Sequence, residues 1–109
     1  SDAEKIAELL YEKSYYNIEK NEEIHIIPAA YEVEDTFSYS GTCVYMKSGK
    51  KLNELICALR RRQEKTGNIY KVYGVSNCGM PQEQVYYGLD ELENAKGYLT
   101  TVIVKTCTE

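Results

Sequence analysis

The chain has 109 residues, 43% of them hydrophobic, and a formal net charge of −4. This length and apolar content fit one domain with an ordinary core and exclude wholesale disorder. No apolar run approaches the ~20 residues that a membrane-spanning helix needs, and no charged-then-apolar opening suggests a leader. A cytoplasmic protein with no membrane partner is expected.

Asp2 to about Ser14 reads as a first helix, with Ile6, Leu9 and Leu10 on one side and Glu4, Glu8 and Glu12 on another. Residues 24–33 read as a strand, broken or bent at Pro28, which suits a sheet edge. Glu34-Asp35 then offers a turn into a second strand, Thr36 to Met46. Its two-residue period puts Phe37, Tyr39, Cys43 and Tyr45 on one face and Thr36, Ser38, Ser40, Thr42 and Val44 on the other. Gly41 falls on the aromatic face, where glycine marks a bulge or a close backbone approach. The polar alternate face predicts a sheet covered on one side only.

A basic amphipathic helix follows over residues 50–65, with Ser48 or Gly49 as its cap and Gly67 as its stop. Leu52, Leu55, Ile56 and Leu59 form its buried stripe. Lys50, Lys51, Arg60, Arg61, Arg62 and Lys65 outweigh Glu54 and Glu64, so this segment carries +4 in a chain of −4. Next come a strand over 69–75, a loop over 76–81, a short strand over 85–87, a helical turn over 90–95 and a last strand over 99–106. In that last strand Val102 and Val104 share a face opposite Leu99 and Ile103. The order α-β-β-α-β-β-(short α)-β predicts an α+β fold. It would be a mainly antiparallel sheet of four to five strands with two main helices packed on one face.

Function must be sought in the sorted charge and in the aromatic content. Arg60 and Arg62 flank the apolar stripe on opposite sides while Arg61 points away, and cations in a last turn complement the helix dipole by ~0.3–1 kcal/mol. Lys50 and Lys51 stand in the first turn, where the dipole opposes them. With Lys47, Ser48 and the free N–H groups of a helix start they form a candidate site for phosphate or carboxylate. The same cations with Tyr70, Lys71 and Tyr73 could follow a nucleic-acid backbone and stack on bases, although an acidic chain is an unusual carrier of that function.

Eleven tyrosines stand against one phenylalanine and no tryptophan, a bias suited to half-buried sheet faces or contact surfaces. The leading expectation is a non-enzymatic binding or regulatory domain that acts on a protein partner through a tyrosine-bearing, charge-polarised surface. Its contact residues would be Lys47, Ser48, Lys50, Lys51, Arg60, Arg61 and Arg62, with Tyr70 and Tyr73 as aromatic contacts. Anion or nucleic-acid binding along 47–65 is the alternative. A third possibility is thiol chemistry at Cys57, one turn before Arg61, or at Cys78, in a loop whose N–H groups would favour a thiolate. The cysteines at 43, 57, 78 and 107 form no close pair, and His25 is the sole histidine, so neither metal nor cofactor is expected.

Overall fold

The computed structural model describes residues 23–95 and 99–107; the helix expected over 2–14 lies outside the described residues. Within them the chain runs β1 (Ile24–Ile27), a 3₁₀ turn (Val33–Thr36), β2 (Thr42–Lys47), α1 (Gly49–Thr66), β3 (Ile69–Ser76), β4 (Gln84–Tyr87), α2 (Gly88–Leu92) and β5 (Thr100–Cys107). The fold is α+β, a five-stranded mixed sheet in the order β1-β2-β5-β3-β4 with both helices on one face. None of these helices is long and apolar enough to cross a membrane.

The last strand in sequence is the central one in space. β5 pairs antiparallel with β2 on one side and with β3 on the other. β2 and β3 are therefore parallel, joined by α1, with β5 between them. β4 pairs antiparallel with β3, so β4 and β5 form a second parallel pair around β3, joined through α2. Both crossovers lie over the same face and bury the same core.

The sheet is not antiparallel throughout, because β1 runs parallel to β2. The expected hairpin at Glu34-Asp35 is absent; those residues sit inside the 3₁₀ turn. Thr36, expected to begin a strand, is buried in that turn. Its hydroxyl donates to the Val33 carbonyl (2.5 Å) and meets the Tyr45 hydroxyl (2.6 Å). A threonine that bonds back three residues along the chain competes with a strand ladder. Residues 28–41 instead give the length that a parallel crossover needs, about a dozen residues, and the two-residue alternation holds only from Thr42 onward.

Gly41 makes this crossover possible. Its φ is +84°, and a Cβ there would lie 2.2 Å from the Glu23 carbonyl oxygen. The Thr42 N–H donates to that same oxygen at 2.9 Å, which is the first rung between β1 and β2. The close approach read from the sequence is thus the start of the β1–β2 ladder.

α1 buries the expected stripe of Leu52, Leu55, Ile56 and Leu59, together with Ala58, against Cys43, Tyr45, Val72, Val102 and Val104. Each fully buried leucine or isoleucine contributes roughly 1.5–3 kcal/mol. The helix ends at Gly67, whose N–H reaches the Gln63 carbonyl at φ +74°. α2 lies close over β3, where a Cβ on Gly74 would fall 2.5 Å from Leu92 Cδ1. The expectation of a sheet covered on one side only fails at its centre. On the face away from the helices, Val44, Val75 and Ile103 are each 1% exposed and form a second cluster with Tyr73, Cys78 and Val85.

Candidate functional site

Lys47 closes β2 with its side chain on the helix face, 4% exposed. A buried ammonium needs polar partners. Its Nζ donates to the Ala29 carbonyl (2.5 Å) and lies 3.4 Å from that of Tyr31. The segment after β1 is further folded by a Tyr31 N–H bond to the Pro28 carbonyl (3.0 Å). Lys47 is therefore an anchor that holds residues 29–31 against the end of β2, and its charge is spent on those carbonyls.

That anchored segment forms one wall of an open groove of about 490 Å³, and one side of α1 from Lys50 to Arg61 forms the other. Tyr31, 48% exposed, stands on the first wall; Lys50, Lys51, Asn53, Cys57 and Arg61 stand on the second. Glu32, Glu34 and Glu54 share the groove with these cations. Lys51 lies 3.5 Å from Glu54 and Arg61 lies 3.7 Å from Glu34, so both cations already have a carboxylate. Lys50, exposed at the helix start, is in no ion pair among the described residues. Ser48 occupies the cap position in extended backbone (φ −144°, ψ 157°), but its hydroxyl makes no capping bond, and it does not line the groove.

The three arginines do not join this site as a set. Arg60 donates to Asp90 (2.9 Å) and Glu93 (2.6 Å), which holds α2 to α1 and pushes the guanidinium pKa up, chiefly through Asp90. Arg61 turns to Glu34. Arg62 lies over the Phe37 ring, 5.4 Å from its centroid, and Phe37 stacks on Tyr70 at 6.4 Å. Because α1 continues to Thr66, its last turn holds Lys65 and none of the arginines. The dipole therefore does not explain them. Arg60 tethers α2 to α1, while Arg61 and Arg62 tether the 3₁₀ turn and the Phe37 that ends it.

Tyr70 and Tyr73 point to opposite faces of β3. Tyr70 packs with the helix-side core, while Tyr73 meets Tyr87 edge-on across the β3–β4 ladder at 5.7 Å and 89°. Lys71 shares the Tyr73 face by alternation. The sheet thus stands between the basic helix and the Lys71–Tyr73 surface, and a single nucleic-acid track cannot use both. Among the described residues, the exposed tyrosines are Tyr31 and Tyr87. Reading residues 24–33 as one strand hides Tyr31, although an aromatic after Pro28-Ala29-Ala30 is the available signal for a ring in a turn.

No protein-family model matches the chain, and no curated protein is significantly similar to it. The functional reading therefore rests on the geometry of the molecule.

A second hollow of about 360 Å³ flanks β1, walled by His25, Pro28, Tyr31 and Tyr39. His25 lies on the helix side of the sheet, its ring 4.7 Å from that of Tyr39 and its Nε2 3.4 Å from Glu23 Oε2. The Ser40 hydroxyl donates to the same carboxylate at 2.7 Å, and Ser40 first, then His25, holds Glu23 below the usual carboxylate range. The Tyr31 hydroxyl beside Tyr39 pushes that phenol upward.

Cys57 is exposed on the groove wall, Cys78 is half-buried, and neither is in a disulfide. In the loop after β3, the Gly79 N–H donates to Glu83 Oε1 at 3.1 Å. A carboxylate thus occupies an amide expected to favour a Cys78 thiolate. Burial pushes the Cys43 thiol upward, away from reactivity.

Proposed function

We propose that this chain is a non-enzymatic binding domain that holds a segment of a protein partner in the groove between residues 29–34 and α1. The observation that carries this reading is the pairing of an exposed tyrosine with charges of both signs along one concavity of about 490 Å³. A ring at Tyr31, a cation at Lys50, an amide at Asn53 and carboxylates at Glu32 and Glu54 match what a peptide presents, namely apolar side chains, both charges and backbone amides. Aromatic residues in such places dominate binding energy at protein interfaces. Lys47 serves the groove indirectly, by fixing the wall that carries Tyr31.

Tyr31→Ala and Lys50→Glu should each weaken capture of the partner, while Tyr87→Ala on the opposite face leaves it intact. Capture that is indifferent to both groove variants, or lost with Tyr87→Ala alone, would sink the reading. A second reading, anion binding at the start of α1, is favoured by one observation: the first turn lacks a side-chain cap beside Lys50. It requires affinity for phosphate or nucleic acid that falls steeply with salt. Titration of inorganic phosphate and single-stranded RNA at two salt concentrations separates the readings, since a groove that holds a peptide through Tyr31 should show no salt-sensitive affinity for either.

A further inference from the structure

The two walls of the groove touch one another through a single loose ion pair. Arg61 on α1 and Glu34 on the 3₁₀ turn line it from opposite sides, and Arg61 Nη2 lies 3.7 Å from Glu34 Oε1. That separation brings opposite charges together without a hydrogen bond, which needs about 2.7–3.2 Å. Both side chains are exposed, at 68% and 58%, so water screens the pair and parting it costs little. The neighbouring arginines differ. Arg60 makes two hydrogen bonds, at 2.9 and 2.6 Å, with Asp90 and Glu93, and Arg62 is laid on the Phe37 ring. Of the three, Arg61 alone lines the groove, and its guanidinium makes no hydrogen bond among the described residues.

We propose that Glu34 is an internal competitor for Arg61, holding the place that a carboxylate of the bound segment takes. A guanidinium presents its N–H groups as a planar fork, which a carboxylate matches through two parallel hydrogen bonds. Glu34 does not reach that geometry from its position on the 3₁₀ turn. A carboxylate carried in along the groove is free of the turn and meets the fork squarely, while Glu34 swings out to water. The exchange replaces a loose pair by charge-assisted hydrogen bonds, so it favours an acidic segment over a neutral or basic one.

The charge of the groove agrees. Lys47, Lys50, Lys51 and Arg61 line it against Glu32, Glu34 and Glu54, an excess of one cation in a chain of −4. Arg61 stands about three helical turns beyond Lys50, so the two cations mark opposite ends of the α1 wall. Lys50 offers a point charge that sets no orientation, whereas the Arg61 fork fixes where the carboxylate of the segment lies. This inference rests on the groove reading. It adds the charge of the partner and a restraint that the free chain places on its own site.

Peptides selected from a random display library by the full chain are the probe, with affinities read by fluorescence anisotropy. Arg61→Ala and Glu34→Gln break the same ion pair, so a contact that only steadies the wall gives a loss in both. Competition gives opposite signs. Arg61→Ala should weaken binding by at least about tenfold, while Glu34→Gln should strengthen it by up to about fivefold. Arg61→Lys, which keeps the charge but not the fork, should recover only part of the loss. Amidating the peptide's C-terminus, or changing its Asp and Glu residues to Asn and Gln, identifies the carboxylate as terminal or side-chain. That change should matter in the unaltered chain and not in Arg61→Ala. A peptide that Tyr31→Ala weakens, but that needs no carboxylate or responds alike to Arg61→Ala and Glu34→Gln, leaves the groove reading standing and overturns this inference. Failure to select any peptide that Tyr31→Ala weakens removes the groove reading, and this inference with it.

Discussion

Replacing Gly41 by alanine tests how the crossover between β1 and β2 is built, and Gly67→Ala is its internal control. Both glycines have positive φ, +84° and +74°, so each substitution carries the left-handed backbone cost of a Cβ, about 1–2 kcal/mol. The surroundings differ. A Cβ on Gly67 meets nothing within 4 Å, whereas one on Gly41 lies 2.2 Å from the Glu23 carbonyl oxygen and 3.0 Å from its carbon. Backbone cannot rotate away as a side chain can, so Glu23 must move. That loses the Thr42–Glu23 hydrogen bond, worth about 0.5–1.5 kcal/mol, and draws the start of β1 off the sheet. Gly67→Ala should therefore cost about 1 kcal/mol and Gly41→Ala about 3 kcal/mol or more, a large part of a typical domain's ~5–15 kcal/mol. Urea denaturation of both variants measures the difference. Equal losses would show that the close approach at Gly41 carries no energy, and the reasoning about the crossover would fail.

Three further outcomes follow from the same contacts. Lys47→Met should cost about 1–3 kcal/mol by leaving the Ala29 and Tyr31 carbonyls without their donor, and amide exchange at Tyr31 should quicken; a loss within error would remove the anchor. Arg60→Ala should cost little despite its two carboxylate partners, because the pairs lie at the surface, and thermal melts at low and high salt would show the difference shrinking as salt screens it. Burial pushes the Tyr45 phenol above its ordinary value of 10. Above that pH the unfolded chain gives up a proton that the folded chain keeps, so stability falls with rising pH by up to ~1.4 kcal/mol per unit. Urea titrations across this alkaline range should find a shallower fall in Tyr45→Phe; the same slope in both proteins would contradict it.

What the sequence conveys about this fold follows the periodicity of its segments. The α1 stripe, the Gly67 stop and the β5 faces were legible because each is a regular pattern facing one dominant core. Residues 28–41 were not. Phe37 and Tyr39 continue the alternation of Cys43 and Tyr45, but the Thr36 hydroxyl bonds within its own turn and the chain leaves the strand path. That local bond decides between a hairpin and a parallel crossover, and alternation is blind to it. The same segment hid Tyr31 and the anchoring role of Lys47, since both depend on where the crossover returns. The fan of arginines was readable from helix phase, while their partners, around α2 and on the turn from Glu34 to Phe37, are long-range and leave no local signal. Tyr70 and Tyr73, three residues apart on a strand, fall on opposite faces by the two-residue period alone, so their joint use as one contact surface could have been excluded without coordinates.

The groove between residues 29–34 and α1 can be tested where its own chemistry reports on it. Cys57 is an exposed thiol on the groove wall, Lys50 is an exposed amine at its mouth, and Cys78 sits in the loop after β3, away from the groove lining. Rates of thiol alkylation and lysine acetylation, compared between the free chain and its complex with the captured partner, map the contact directly. The account predicts that Cys57 and Lys50 are shielded in the complex while Cys78 keeps its free rate. Unchanged rates at Cys57 and Lys50 in a complex that shields Cys78 would place the partner elsewhere and contradict it.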